Sequence, residues 1–423
     1  MMNGSRQVVH VRRGNPMIGA PFRLVARRAR WLGVLVAALV LAAACTGSSG
    51  NRAASGTGGS AGGAGSTGRA SSGAAVTVAF QPGANAKDVA PGSPVVVKAT
   101  GGTLGDVRLT GAGGQVSGTL DGAKATWTST GKLAYSATYQ VTASATDDAG
   151  KTTTASSAFT TVTARSEIFP AVAPLRGTVM GVGLPIRVYF DAPIEDRKAA
   201  TDHMKVRTSV PTEGAWHWIS DREVHWRPRV YWTAHTQIAL DISLYGVDLG
   251  GGVWGGLNAD RQLDFAVGDS HVSIADIRTH QLKVYANGTL VKTFPASMGK
   301  EVPGRYTKGG PHVVIDKNRV KTMDSRTFGL ALDAGGYTAK VEWATRISNN
   351  GEFVHSAPWS VAEQGHANVS HGCVNLSPAN ATWFFNFSKI GDVVDVVGSP
   401  VKLSAKDGDI YDWAIPWSQW AQG

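Results

Sequence analysis

The chain has 423 residues, more than one compact core organises, and about three domains are expected. Its formal charge of +10 invites a nucleic-acid partner until the charge is located. Arg6, Arg12, Arg13, Arg23, Arg27, Arg28 and Arg30 crowd the N-terminal stretch without one acid, and without those seven the net charge falls to +3, so nucleic-acid binding loses its support.

Trp31 to Ala44 (WLGVLVAALVLAAA) is uncharged and spans fourteen residues. As a helix it would rise about 21 Å, short of a ~30 Å hydrocarbon core. The Arg-rich flank before it and the small residues at its end make 1–44 a signal peptide, so export is expected. Leu41-Ala42-Ala43-Ala44-Cys45 resembles a bacterial lipobox, with Ala42 where Leu is usual. That resemblance implies a diacylglyceryl thioether on Cys45 and anchoring at the outer face of the cytoplasmic membrane. Plain secretion or an uncleaved anchor is the alternative. Met17 is an alternative start, because the stretch from Met1 to the apolar run is long for a signal peptide. Residues 45–75 read as a tether: beyond Cys45 they are nearly all Gly, Ser, Ala and Thr, unable to bury enough apolar surface to offset their ordering entropy. Such a coil has an r.m.s. span of about 30 Å.

Residues 76–163 show short alternating runs, among them Val76 to Phe80, Val95 to Lys98, Ala125 to Thr128 and Thr138 to Thr142, punctuated by Gly, Asp and Pro. Residues 164–268 repeat the plan with Pro185 to Phe190, Glu223 to Trp226 and Thr236 to Leu240. The pattern predicts two tandem Ig-like β-sandwich domains, neither with a cysteine pair. Trp216, Trp218, Trp226, Trp232 and Trp254 in the second are read as core and interdomain packing in preference to a sugar-stacking surface. Asp248 lacks a second carboxylate nearby in sequence, so no metal is assigned, and no cofactor is called for.

From 269 to 398 the texture is mainly β with one main helix. Val272 to Ala275, Gln281 to Tyr285 and Leu290 to Phe294 are strands, with Asn287-Gly288 as a hairpin turn. Lys340 to Ile347 is a strand turned back by Asn350-Gly351 into Phe353-Val354-His355. Ser377-Pro378 fits an N-cap with Pro at N1, opening a helix through about Ser388. Asp392 to Val397 closes a strand, and residues 399–423, with Trp413, Trp417 and Trp420, are expected to pack back on this domain.

Cys373 and Cys45 are the only cysteines, so an exported, lipid-modified chain keeps Cys373 as a lone thiol. A lone thiol in Ser370-His371-Gly372-Cys373-Val374-Asn375-Leu376 reads as a nucleophile, with an imidazole to take its proton and return it to a leaving amine. His355, His366 and His371 compete for that role. His355, at the end of a hairpin strand, is favoured, with Ser356 orienting its Nδ1 through hydroxyl or carbonyl and His371 in support. Gly372 lets the backbone approach closely, so the amides of Gly372 and Cys373 are candidate oxyanion donors. No His and no Arg follows Cys373, which excludes peptidases with Cys before His and argues against sortases.

Ser370 to Leu376 with His355 upstream resembles the L,D-transpeptidase (YkuD-like) family, and His355-Ser356-Ala357-Pro358-Trp359-Ser360 with Gln364-Gly365-His366 narrows the resemblance to actinobacterial members with two Ig-like domains and a lipoprotein signal. It covers the chain from about 165 onward well, and 76–163 only in module type. The resemblance implies peptidoglycan stem peptides as donor and acceptor. Cys373 would attack the carbonyl of the third stem residue, meso-diaminopimelate, and expel the terminal D-Ala. The side-chain amine of a neighbouring diaminopimelate would resolve the thioester into a 3→3 cross-link. It further implies acylation by carbapenems, substrate contacts from Tyr337, Asn350, Gly351, Trp359 and Asn375, and a lid bearing Met323 and Phe328, the latter where relatives can have Tyr. An L,D-carboxypeptidase, with water as acceptor, and a non-catalytic wall-binding lipoprotein are the alternatives.

Overall fold

The computed structural model describes residues 75–423, apart from Leu330 and Asp409 and the side chain of Phe328. The expected signal peptide, Cys45 and nearly all of the tether lie outside the described residues, as does the Phe328 side chain expected on the lid.

Two Ig-like sandwiches come first. In the first, a sheet ordered Thr77–Gln81, Val96–Thr100, Thr126–Ser129, Gly118–Leu120 joins a five-stranded sheet centred on Thr138–Asp147. Strict alternation drives the closure: Tyr139, Val141, Ala143 and Ala145 point inward from one strand and meet Val97, Leu109, Trp127 and Phe159. The second sandwich sets Ala171–Ala173, Ile186–Tyr189, Glu223–Pro228 and Gly214–Trp218 in one sheet and Val179–Met180, Arg261–Val267, Gln237–Ile242 and Met204–Thr208 in the other. Trp218, Trp226 and Trp232 are buried in its core, where Trp232 Nε1 donates to the Leu184 carbonyl at 2.8 Å. Trp254 meets Tyr135 of the first sandwich edge to face, and Tyr135 Oη donates to the Gly255 carbonyl at 2.7 Å. These tryptophans therefore spend their area on packing.

The third domain pairs a five-stranded sheet, ordered Thr289–Pro295, Gln281–Ala286, His271–Asp276, Val393–Val397, Gly310–Val313, with a four-stranded sheet ordered Asp316–Asp324, Thr338–Arg346, Phe353–Ser356, Val374–Leu376. Helix Pro378–Phe387 is capped by Ser377, whose side chain accepts from the Asn380 amide, and has Pro378 at its first position. Its Ala381 and Phe384 complete a core with Leu282, Val354, Leu376 and Val394. The Asn287-Gly288 hairpin turn forms with both residues at positive φ, 48° and 80°. The strands Gly310–Val313 and Asp316–Asp324 carried no clear sequence signal: the first has Gly and Pro at its start, and the second is highly charged, as an edge strand is. No helix of the described residues is long and apolar enough to cross a membrane.

The tail corrects one expectation. Its first part packs on the third domain as anticipated, with the Gly309 amide donating to the Val401 carbonyl and the Leu403 amide to that of Gly309. Its second part keeps the Asp412–Ala414 turn against strand Gly310–Val313 of the third domain and also crosses to the second sandwich. Trp413 Nε1 donates to the Gly183 carbonyl at 2.7 Å and Trp420 Nε1 to that of Ala215 at 2.9 Å. Buried Arg227 lies over the rings of Trp413, Trp417 and Trp420 and donates to the Ile415 carbonyl. Next to it, buried His225 is held between Asp412 at 3.0 Å and Glu223 at 2.7 Å. Three large rings and an acid find a guanidinium and an imidazole there. The sandwich and the third domain also touch directly. Gly181 and Gly183 amides donate to the Ile390 and Gly391 carbonyls, both at 2.8 Å. A Cβ on Gly181 would lie 2.2 Å from the Asp392 nitrogen, so only glycine permits that approach.

Candidate active site

Strands Phe353–Ser356 and Val374–Leu376 run parallel, with His355 opposite Asn375 and Val354 opposite Val374. Because side chains alternate, the register that sends Val354, Val374 and Leu376 into the core turns His355, Cys373 and Asn375 to the other face. There they line one cavity of about 360 Å³ together with Met323, Tyr337 and Trp359. His366, the third candidate base, is exposed and outside that lining.

Cys373 is buried against Met323, Val341, Ala344 and Phe353, and its Sγ points at the Gly351 carbonyl 3.6 Å away. Burial, with Glu352 adding to it, pushes the thiol up to about 12, although a backbone hydrogen bond from Phe353 opposes the shift. His355 is equally buried, which drives its pKa down to about 4. Its Nδ1 lies 2.8 Å from the Ser356 carbonyl, and a carbonyl only accepts, so Nδ1 carries the proton and Nε2 is the free base. Of the two orienting groups Ser356 offers, the carbonyl is the one used. At rest, therefore, both partners are neutral.

The loop into Cys373 is held by Ser370. Its Oγ donates to the Cys373 carbonyl at 2.6 Å and accepts from the Gly372 amide at 3.1 Å. Gly372 sits at φ +127°, a region where an L side chain is strained, and this requires glycine there even though a Cβ would meet only ordinary contacts. The same bond corrects the oxyanion expectation: the Gly372 amide is committed to Ser370 Oγ, because a short loop at positive φ turns that N–H inward. Asn375 Nδ2 donates to Ser360 Oγ at 3.1 Å, and Gln364 Nε2 donates to the Ala357 carbonyl at 3.2 Å, fixing the cavity floor.

Residues 270–396 match the L,D-transpeptidase catalytic domain family, and residues 86–248 match a bacterial Ig domain family. L,D-transpeptidase 2 of Mycobacterium tuberculosis (strain CDC 1551 / Oshkosh) is 41% identical over 334 residues, 78% of this chain and 80% of that protein. The chain belongs to the L,D-transpeptidase family. L,D-transpeptidase 5 of Mycobacterium tuberculosis (strain ATCC 25618 / H37Rv) is 36% identical over 348 residues, 81% of this chain and 75% of that protein. The structure of the LD transpeptidase LdtMt1 in complex with imipenem aligns with a TM-score of 0.48 at 37% identity, over 55% of this chain and 99% of that one.

In this L,D-transpeptidase the expected substrate residues divide between two cavities. Met323, Tyr337, Trp359 and Asn375 join Cys373 and His355 in the first. Gly351 and Asn350 line a second, of about 560 Å³, with Tyr306, Lys308 and Glu352. The Asn350 side chain is bonded to Asp407 of the tail at 2.6 Å, so it closes a loop and does not face the thiol's cavity. His371 borders both cavities and its ring stands 4.8 Å from that of Tyr337. Burial and nearby Arg305 lower its pKa. Sequence reasoning missed Ser370 as a brace, although a Ser three residues before Cys373 is a recognisable turn signal. It also missed buried Glu352, whose Oε2 lies 3.1 Å from His312 Nε2 and whose Oε1 accepts from the Lys308 amide at 2.8 Å. Glu363, bordering the first cavity, carried no signal at all. Among the described residues no cluster of three or more His, Cys, Asp or Glu is gathered to hold a metal ion.

Proposed function

We propose that this chain is a peptidoglycan L,D-transpeptidase that forms 3→3 cross-links through a thioester on Cys373. His355 Nε2 takes the thiol proton as Sγ attacks the carbonyl of the third residue of a tetrapeptide donor. The tetrahedral oxyanion accepts from the Cys373 amide. His355 then returns its proton to the departing D-Ala amine, and the C–N bond breaks to leave the thioester. The side-chain amine of a second stem loses a proton to His355, attacks the thioester, and the thiol is regenerated. The two cavities meeting at His371 let donor and acceptor approach from different sides, and an amine held there reaches the thioester ahead of water, which favours transfer over hydrolysis.

The observation that carries this reading is the pairing of Cys373 with an imidazole locked as the Nε2 base by the Ser356 carbonyl, in one cavity. A neutral His cannot preform an ion pair with a neutral thiol, so proton transfer accompanies attack. Carbapenem acylation of the same thiol belongs to this reading, and a relative 37% identical to this chain has been solved in complex with imipenem. The reading extends to a lipid anchor on Cys45, supported by the apolar run Trp31 to Ala44 that ends on it.

The test is the mass of the full chain after incubation with a carbapenem. One covalent adduct is expected, absent in Cys373→Ala; an adduct that survives in that variant overturns the assignment. On a purified tetrapeptide muropeptide the expected product is a dimer, and hydrolysed tripeptide alone would make it a carboxypeptidase. Globomycin-sensitive, detergent-phase partitioning of the chain, lost in Cys45→Ala, tests the anchor.

A further inference from the structure

The first cavity holds one charged side chain that the chemistry above leaves unused. Glu363 lies just beyond the turn Pro358–Ser360, and its backbone is fixed on both sides. Its amide donates to the Ser360 carbonyl at 3.2 Å, and its own carbonyl accepts from the amides of His366 and Ala367 at 2.9 and 2.8 Å. The side chain borders the cavity that contains Cys373 and His355. Its Oε2 is buried and has no hydrogen-bond partner among the described residues. An orphaned carboxylate oxygen is costly to bury, and a ligand ammonium is one donor that would satisfy it. The imidazoles sharing the cavity are both shifted toward the neutral form by burial, and among the described residues Glu363 is the one carboxylic side chain in the lining.

The rim beside it is apolar. Trp359 is 60% exposed and Val369 is 39% exposed, both lining the same cavity, with Val361 close by in sequence and 48% exposed. A face of this kind ending in a carboxylate suits an aliphatic chain of a few methylenes tipped by an ammonium: the methylenes cover Trp359 and Val369, and the charge reaches Glu363.

We propose that Glu363 is a specificity residue that binds a primary ammonium on the side chain of the donor stem's third residue. This rests on the reading of Cys373 as the acylated thiol. The donor is favoured over the acceptor by proton chemistry. An amine paired with a carboxylate stays protonated and cannot attack a thioester, whereas a donor's amine takes no part in acylation and gains from the pairing.

Two synthetic tetrapeptide donors that differ only in whether the third-residue amine is free or acetylated make the test, used as competitors of carbapenem acylation of the full chain. The free-amine peptide should protect Cys373 about tenfold better than the acetylated one, by the strength of a charge-assisted bond, with the gap narrowing as salt rises. In Glu363→Gln the two peptides should protect equally. Equal protection by both peptides in the unaltered chain, or a preference that survives in Glu363→Gln, overturns the role of Glu363 while leaving the thiol chemistry standing. Absence of any carbapenem adduct in the unaltered chain overturns the thiol reading and this inference with it. Should Glu363→Gln fail to fold, the salt dependence and the two-peptide comparison on the unaltered chain decide the matter alone.

Discussion

Replacing Trp420 by Ala should unfasten the end of the chain from the second sandwich without unfolding the rest. Trp420 is fully buried although it lies almost at the C-terminus. Its Nε1 donates to the Ala215 carbonyl at 2.9 Å, its ring stacks on His217 with centroids 4.7 Å apart, and the Arg227 guanidinium lies 4.5 Å from its centroid. Truncating a buried Trp to Ala costs about 3–5 kcal/mol, and the Ala215 carbonyl left without its donor adds about 1. A terminal segment opens locally before the domain unfolds, so that loss appears as fraying of the tail. Hydrogen exchange on the full chain reads it. The amides of Gln419, Trp420 and Ala421, which donate within the last helical turn, should exchange about a hundredfold faster or more, by ~1.4 kcal/mol per factor of ten. Strand Val393–Val397 should keep its protection. Unchanged tail protection would refute the clasp, and an equal loss across both regions would refute its local character.

Three further outcomes are expected. Burial opposes charging His225, but Asp412 and Glu223 outweigh it and raise its pKa. A raised folded pKa contributes stability that is complete below the unfolded value of about 6.5 and lost as pH climbs through the folded one. Between pH 6 and 9 the melting temperature should therefore fall more steeply in the unaltered chain than in His225→Gln, and parallel curves would contradict this. Ser370→Ala leaves the Gly372 amide and the Cys373 carbonyl without their partner; an unpaired buried group costs about 1–3 kcal/mol, so carbapenem acylation should slow roughly ten- to hundredfold with the mass of the adduct unchanged. Because burial holds His355 near 4, the acid limb of the acylation rate should fall near pH 4 and not near 6.5; a limb at the ordinary imidazole value would assign the base elsewhere.

Local signals in the sequence account for much of this site. Ser377 and Pro378 start a helix by chemistry that needs no distant partner, and the turn at Asn287-Gly288 does the same for a hairpin. Asn350-Gly351 misled in part. Strand Thr338–Arg346 does pair with Phe353–Ser356, but across a longer loop whose Asn349 and Asn350 amides both donate to the Asp407 carbonyl at 3.1 Å. Asp407 belongs to the tail, and nothing near residue 350 announces it. The destination of Trp413, Trp417 and Trp420 was illegible for the same reason: aromatic spacing says that rings will be buried, while the identity of the burying surface depends on Arg227 and His225, in a strand nearly two hundred residues upstream. Glu363 was unreadable in another way, since a single carboxylate in a polar loop looks solvated until the fold closes over one of its oxygens.

The alternation that builds the core also sets the chemistry of the thiol. Both faces of strands Phe353–Ser356 and Val374–Leu376 are covered, one by helix Pro378–Phe387 and the other by Met323, Val341 and Tyr337. Covering the second face removes water from Cys373 and His355 together, and desolvation disfavours thiolate and imidazolium alike. A neutral pair is a poor target for stray electrophiles and oxidants. On the proposed reading it becomes nucleophilic only when a carbonyl is held against Sγ, so that bond formation and proton transfer to Nε2 proceed together and no free thiolate has to exist. On this account the cavity contacts that position the donor, Glu363 among them, belong to the activation of the nucleophile as much as to the choice of substrate.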